Sequence, residues 1–377
     1  MDYLPFARPT LDEETIAGVA DVLRSGWITT GPKVQEFERA LSEFLGGRTV
    51  RTFTSATAAL EVALQACGIG PGDEVILPAM TFAASANVVV RVGARPVFVD
   101  VELATRNIDP ALIEAAITPR TRAIMPVHFA GLAVDMERVY DIAARYKLRV
   151  IEDAAHAIGT RWQDRRIGSF GDLVSFSFHP NKNLTTIEGG ALSLPSNAEL
   201  ETVELQRFHG LVRDGEGNAD VLLAGGKYNL SDVSARIGLS QLRQLEGFND
   251  KRRQLVARYF ERLRTDPACL LPARGDNGHS WHIFAPLLPF DRARLSRGQF
   301  INAMHQRGIG VGVHYPALHL FTVYRKLNYK EGDFPNAERI GRETVTLPLF
   351  PAMQPSDVDR VCDAVSDILR SANKGHR

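Results

Sequence analysis

Cysteine is scarce in this chain: three in 377 residues, Cys67, Cys269 and Cys362, with no spacing that would hold a metal. No disulfide framework or thiolate metal centre is expected, and the three read as reduced packing residues of a cytoplasmic protein. An excess of either charge is also missing, since 44 Lys and Arg balance 44 Asp and Glu. Nothing in that balance calls for nucleic acid or an anionic membrane surface. The apolar runs meet charges or prolines well short of a bilayer span. The opening Met1–Pro9 has no cationic start followed by an apolar core, so no secretory signal is expected. There is no internal repeat and no low-complexity stretch. What remains is 45% hydrophobic and 23% charged. That is the composition of a globular enzyme, and the length makes two domains the default.

Along the chain, strand-like and helix-like patterns alternate. Residues 11–23 have helical spacing, with Ile16, Val19, Val22 and Leu23 on one face, and a second helix is expected near 33–45. Strands are expected at 50–53, 74–77, 96–100, 123–127, 149–152, 174–178 and 191–194. Helices are expected at 56–65, 82–92, 109–116 and 135–146. Continuous apolar strands separated by helices predict a mostly parallel α/β sheet covered on both faces, with ligands gathered at the carboxyl ends of strands. After about residue 240 the pattern changes. A long charged helix, Leu242 to Arg264, leads into a region with fewer clear strands and a closing helix near 355–371. This predicts a larger domain over 1–245 and a smaller one over 246–377.

The stretch Ser175-Phe-Ser-Phe-His-Pro-Asn-Lys182, followed by Glu188-Gly-Gly190, sets a lysine between a β-rich apolar run and a glycine turn. An amine beside buried strands suits a Schiff base with a carbonyl cofactor, although an exposed loop lysine would read the same way. Asp153 ends the strand of Val150-Ile-Glu-Asp-Ala-Ala-His156. A carboxylate there can keep a heteroaromatic nitrogen protonated; it can equally cap a helix. His156 alone reads as a core or surface histidine. Thr54-Ser-Ala-Thr57 follows a strand and opens a helix, an arrangement that offers backbone N–H groups to an anion, or simply an ordinary cap. Phe82, just past the next strand, can stack on a flat ring or pack in the core.

In this order the pieces resemble the sugar aminotransferases of fold type I, the DegT/DnrJ/EryC1/StrS family. The resemblance runs over nearly the whole chain. It takes in Ser25-Gly-Trp-Ile-Thr-Thr-Gly31, Pro126-Val-His-Phe-Ala-Gly131, Phe208-His-Gly210, Lys227-Tyr-Asn229, Trp281-His-Ile-Phe284, Arg307–Tyr315 and Leu347-Pro-Leu-Phe350. It implies an aspartate-aminotransferase-like large domain, a smaller C-terminal α/β domain and pyridoxal 5'-phosphate as cofactor. Lys182 matches the lysine that links the cofactor and carries the proton, and Asp153 the partner of the pyridine nitrogen. His156 matches a contact to the ring hydroxyl, Phe82 the stacking aromatic, and Ala56, Thr57 and Ser177 the phosphate cup. Asn229 matches a residue that reaches the neighbouring subunit's cofactor phosphate, which implies a homodimer with composite sites. Thr30, Gly31, His314 and Tyr315 match segments near the sugar nucleotide. No metal is implied. Ile187 departs from the pattern, because many members carry glycine there.

The implied activity moves an amino group from L-glutamate, released as 2-oxoglutarate, to a nucleotide-linked 4-keto sugar by a ping-pong route that serves cell-surface polysaccharide or lipopolysaccharide synthesis. Several segments match best the branch that acts on a UDP-linked 4-keto pentose. A 4-keto-6-deoxyhexose or a 3-keto sugar is the alternative substrate. A non-catalytic cofactor-binding regulator is the alternative class, and it would be expected to lack Lys182 or Asp153.

Overall fold

The computed structural model describes residues 2–263 and 269–374. Its centre is a seven-stranded sheet: β1 (Thr49–Phe53), β2 (Glu74–Pro78), β3 (Arg95–Val99), β4 (Thr121–Ile124), β5 (Arg149–Asp153), β6 (Leu173–Ser177) and β7 (Gly190–Leu194). The strand order is β1-β7-β6-β5-β4-β2-β3. Strands β2 to β6 pair in parallel, while β7 runs antiparallel to both β6 and β1.

Both faces of this sheet are covered, and the strands show it residue by residue. Val75, Leu77, Ile151, Leu173 and Leu192 join one core cluster, with helices α3 (Ala56–Ala66) and α4 (Ala83–Arg91). Their strand neighbours Ile76, Val150, Val174 and Ala191 join a second, with α2 (Pro32–Phe44) and α5 (Met136–Tyr146). Side chains alternate across a strand, so a strand buried on both faces reads as a continuous apolar run. A third cluster gathers Leu4 with residues between Leu255 and Leu369, including the closing helix Pro355–Lys374.

Two expected helices differ. Residues 109–116 form two short 3₁₀ turns, Pro110–Leu112 and Glu114–Ala116. Asp109 accepts from the Ala111 N–H at 2.9 Å and so tightens the chain into a turn. A segment this short, with only Pro110 and Ile113 buried, cannot repay α-helix nucleation. The long helix starts at Asp232 and runs to Leu263, because Ser231 accepts from the Ser234 N–H and caps it upstream of the expected Leu242. The expected last residue, Arg264, lies outside the described residues. No helix among the described residues is long and apolar enough to cross a membrane.

Candidate active site

The carboxyl end of β5 brings Asp153 to the floor of a cavity of about 320 Å³. Its carboxylate is held on both oxygens: Ser85 on α4 donates to Oδ2 at 2.7 Å, and the Ala155 N–H donates to Oδ1 at 3.1 Å. Ser85 is itself within 3.1 Å of the Thr81 hydroxyl. No helix starts at Asp153; the chain turns through Ala154–Gly159 instead, so the helix-cap reading gives way to an anchored carboxylate.

Lys182 enters the same cavity from the loop joining β6 to β7. That loop is closed at its base, where the Phe178 N–H donates to the Gly189 carbonyl and the Thr186 N–H donates to the Phe178 carbonyl, both at 2.9 Å. Lys182 is half-buried, not an exposed loop lysine. Burial pushes its amine down to about 8, with the Asp153 charge pulling the other way. The glycines after it serve contact. A Cβ on Gly190 would stand 2.4 Å from the Ala56 nitrogen, so β7 can run against the start of α3 only with glycine there. Ile187 has φ of 72°, the left-handed region where a β-branched side chain is strained.

At the start of α3, the Ser55 side chain caps the Ala58 N–H at 3.1 Å. The Ala56 and Thr57 N–H groups, one residue and two residues into the helix, have no intrahelical acceptor, and both residues line the cavity with Ser177. Phe82 stands 58% exposed at the rim, too open for a core residue, 5.8 Å from the Tyr315 ring.

His156 is buried deeper. Its Nδ1 accepts from the Ala130 N–H at 3.2 Å, which assigns the proton to Nε2 and directs it to the Tyr315 hydroxyl at 3.2 Å. Burial holds this imidazole well below the usual histidine value, and the Lys182 and His314 charges act in the same direction. His314 shares a 2.8 Å hydrogen bond between Nδ1 and the Thr346 hydroxyl and stacks on Phe6; burial pushes it down to about 4. Burial and Asp153 raise the Tyr315 phenol.

Asn229, Thr30 and Gly31 do not line this cavity. They meet one another instead. Asn229 Nδ2 donates to Thr30 Oγ1, Thr30 donates to the Leu230 carbonyl at 2.7 Å, and the Gly31 N–H donates to Asp232 at 2.8 Å. Sequence reasoning missed Ser85, which steadies Asp153, and His282, whose ring lies 4.3 Å from that of His156. Ser85 is 68 residues from its partner, and no local pattern marks it.

The arrangement fits a phosphorylated pyridine aldehyde. A helix start offers free N–H groups, an anchored carboxylate faces the cavity, an aromatic stands at its rim, and an amine of lowered basicity makes no hydrogen bond among the described residues. The model of the DegT/DnrJ/EryC1/StrS aminotransferase family matches residues 9–366, and the chain belongs to that family. It is 40% identical over 382 aligned positions to the spore coat polysaccharide biosynthesis protein SpsC of Bacillus subtilis, covering 98% of each chain. Spr1654 of Streptococcus pneumoniae, described as a sugar aminotransferase, superposes in its PLP form with a TM-score of 0.92 at 32% identity, over 98% of this chain and 99% of that one. Helicobacter pylori PseC, an aminotransferase of pseudoaminic acid biosynthesis, gives 0.93 at 28% identity over 98% and 100%. The protein is therefore a sugar aminotransferase, with pyridoxal phosphate as its cofactor.

Proposed function

We propose that this enzyme moves an amino group from L-glutamate to the C4 carbonyl of a nucleotide-linked sugar, in the cytoplasm, for assembly of a cell-surface polysaccharide. The observation that carries this reading is the Lys182 amine, pushed down to about 8 and lining the same cavity as Asp153. Pyridoxal phosphate, when bound, supplies an aldehyde for covalent attachment and a ring that accepts electrons from the substrate carbon. Asp153, fixed by Ser85 and the Ala155 N–H, would hold a proton on the ring nitrogen. The Ala56 and Thr57 N–H groups and the Ser177 hydroxyl would hold the phosphate, with Phe82 against the ring and His156 toward the ring hydroxyl. Lys182 would take the proton from the donor's α-carbon as a base and, in the second half-reaction, deliver a proton to C4 of the keto sugar as an acid. At working pH an amine near 8 is present in both of its protonation states, as a base that must become an acid requires.

The two half-reactions share one cavity, which suits ping-pong exchange of glutamate for keto sugar. Thr30, Gly31, His314 and Tyr315 are our assignment for contacts to the sugar nucleotide, and Asn229 for the cofactor phosphate of a second subunit. The substrate we expect foremost is a UDP-linked 4-keto pentose, on the resemblance in 25–32, 126–131, 227–230 and 307–314. A pocket built for a pentose discriminates against the added C6 methyl, the substituent on C5, by about 1–3 kcal/mol, so 4-keto-6-deoxyhexoses should turn over more slowly. Supplying the holoenzyme with glutamate and a panel of nucleotide keto sugars, and identifying the amino sugars formed, tests both levels. A hexose preferred a hundredfold in kcat/KM would replace the pentose assignment. Failure to aminate any nucleotide keto sugar would overturn the reading itself.

A further inference from the structure

Three arginines are buried among the described residues, and only one of them pairs with carboxylates. Arg207 pairs with Glu38 at 2.6 Å and Glu204 at 2.7 Å. Arg252 has no carboxylate either, but one Nη is held by the carbonyls of His282 and Leu349, at 3.0 and 2.9 Å. Arg106, in the connection after β3, has the fewest partners and two nitrogens free. It is 1% exposed and donates one Nη to the Ala285 carbonyl, while its Nε and other Nη have no partner. No described carboxylate lies within ion-pair distance of it, and burial alone pushes its guanidinium down to about 9. A guanidinium of that basicity stays charged at neutral pH. A charge taken out of water without an opposite charge is among the costliest arrangements in a protein interior.

Beside Arg106 is a cavity of about 10 Å³, walled by Thr105, Phe129, Leu132, His279 and Ile283 among others. That is about the volume that one water-sized particle fills. His279 on its wall is buried, donates Nε2–H to the Ala130 carbonyl at 3.1 Å, and leaves Nδ1 without a partner. We propose that this cavity is a binding site for one small monovalent anion, with chloride as the occupant in ordinary salt, held by the free Nε and Nη hydrogens of Arg106. A water would answer the hydrogen bonds but leave the charge uncompensated; a halide accepts from the free Arg106 hydrogens and compensates the charge, with the His279 Nδ1 lone pair left facing away from any donor. The site also adjoins the catalytic cavity through a single peptide. Ala130 receives the His279 hydrogen bond on its carbonyl and gives its N–H to His156, so an anion bracing the 129–132 turn braces the histidine as well.

The test compares thermal unfolding of the holoenzyme in potassium gluconate and in potassium chloride at constant ionic strength. Chloride should raise the Tm saturably, by about 2 °C or more, as a ligand of the native state alone does. Arg106→Met, which keeps the stem and removes the charge, should lose the chloride-dependent part of the rise. Crystals grown in bromide decide the matter independently of that variant's folding: an anomalous peak beside Arg106 is expected. Equal Tm values in the two salts, or a water without anomalous signal in this cavity, would overturn the proposal.

Discussion

Lys182 carries a cost that pH can reveal. An unfolded lysine titrates near 10.4, whereas this one titrates at about 8. Between those values the unfolded chain binds more protons than the folded chain, so stability from this group rises with pH through that window and is lowest below pH 8. In cofactor-free protein, Lys182→Met should therefore raise the Tm at pH 7, and the gain should shrink as pH approaches 10. The same variant should have no turnover. Asp153→Asn tests the carboxylate: the Ser85 and Ala155 bonds lose an ionised acceptor, and turnover should fall by several orders of magnitude with the Tm little changed. Near wild-type kcat would return Asp153 to a structural role. Ile187 makes a third case. Its left-handed backbone costs a non-glycine residue about 1–2 kcal/mol, and glycine returns about 0.5–1 kcal/mol of that as lost chain entropy. Ile187→Gly should thus stabilise the protein by up to about 1 kcal/mol in urea unfolding. At this scale the motifs were legible where they follow a strand end, as Asp153, His156, Phe82, Ala56, Thr57, Ser177 and Lys182 do; with His314 and Tyr315 they line one cavity. Ser85 and His282 were not legible, since their work is done on side chains far away in sequence.

At the scale of elements, the strands were readable because burial on both faces leaves short apolar runs, as in Val75-Ile-Leu77 of β2. Helices were readable where an apolar stripe recurs over three turns. The 109–116 segment misled because its few apolar residues fit a helical spacing that turn chemistry overrode. Helix α2 hides a different device. Its N-cap is Gly31, which has no side chain to close the first turn. Asp232, 1% exposed at the start of the long helix, does so from across the fold: it accepts from the N–H groups of Gly31, Lys33 and Val34 at 2.8, 3.1 and 2.9 Å. A carboxylate at a helix N-terminus also meets the positive end of the dipole. Asp232→Ala should cost about 2 kcal/mol or more, because three donors, two of them buried, lose their acceptor at once. Chemical denaturation measures it, and a loss below about 0.5 kcal/mol would show that water replaces the cap.

The whole molecule leaves apolar surface beside the residues that the cavity does not use. Trp27 and Ile28 are exposed just before Thr30, which Asn229 touches, and Phe208 is exposed under the Lys227 amine. Large exposed side chains at these places suit the twofold pairing proposed above, in which Asn229 is assigned to another chain's phosphate cup. The consequence can be counted. Suppose Lys182→Ala and Asn229→Ala each abolish activity as homodimers. In a mixed dimer, one site combines an intact Lys182 from the Asn229→Ala chain with an intact Asn229 from the Lys182→Ala chain, and the other site lacks both. Random exchange of equal amounts makes about half the dimers mixed, each with one working site of two, so activity should recover to about a quarter of wild type. If Asn229 instead serves its own chain's site, no mixed dimer contains a complete site. Activity after exchange would then stay at the level of the separate variants, and the shared-site assignment would fall.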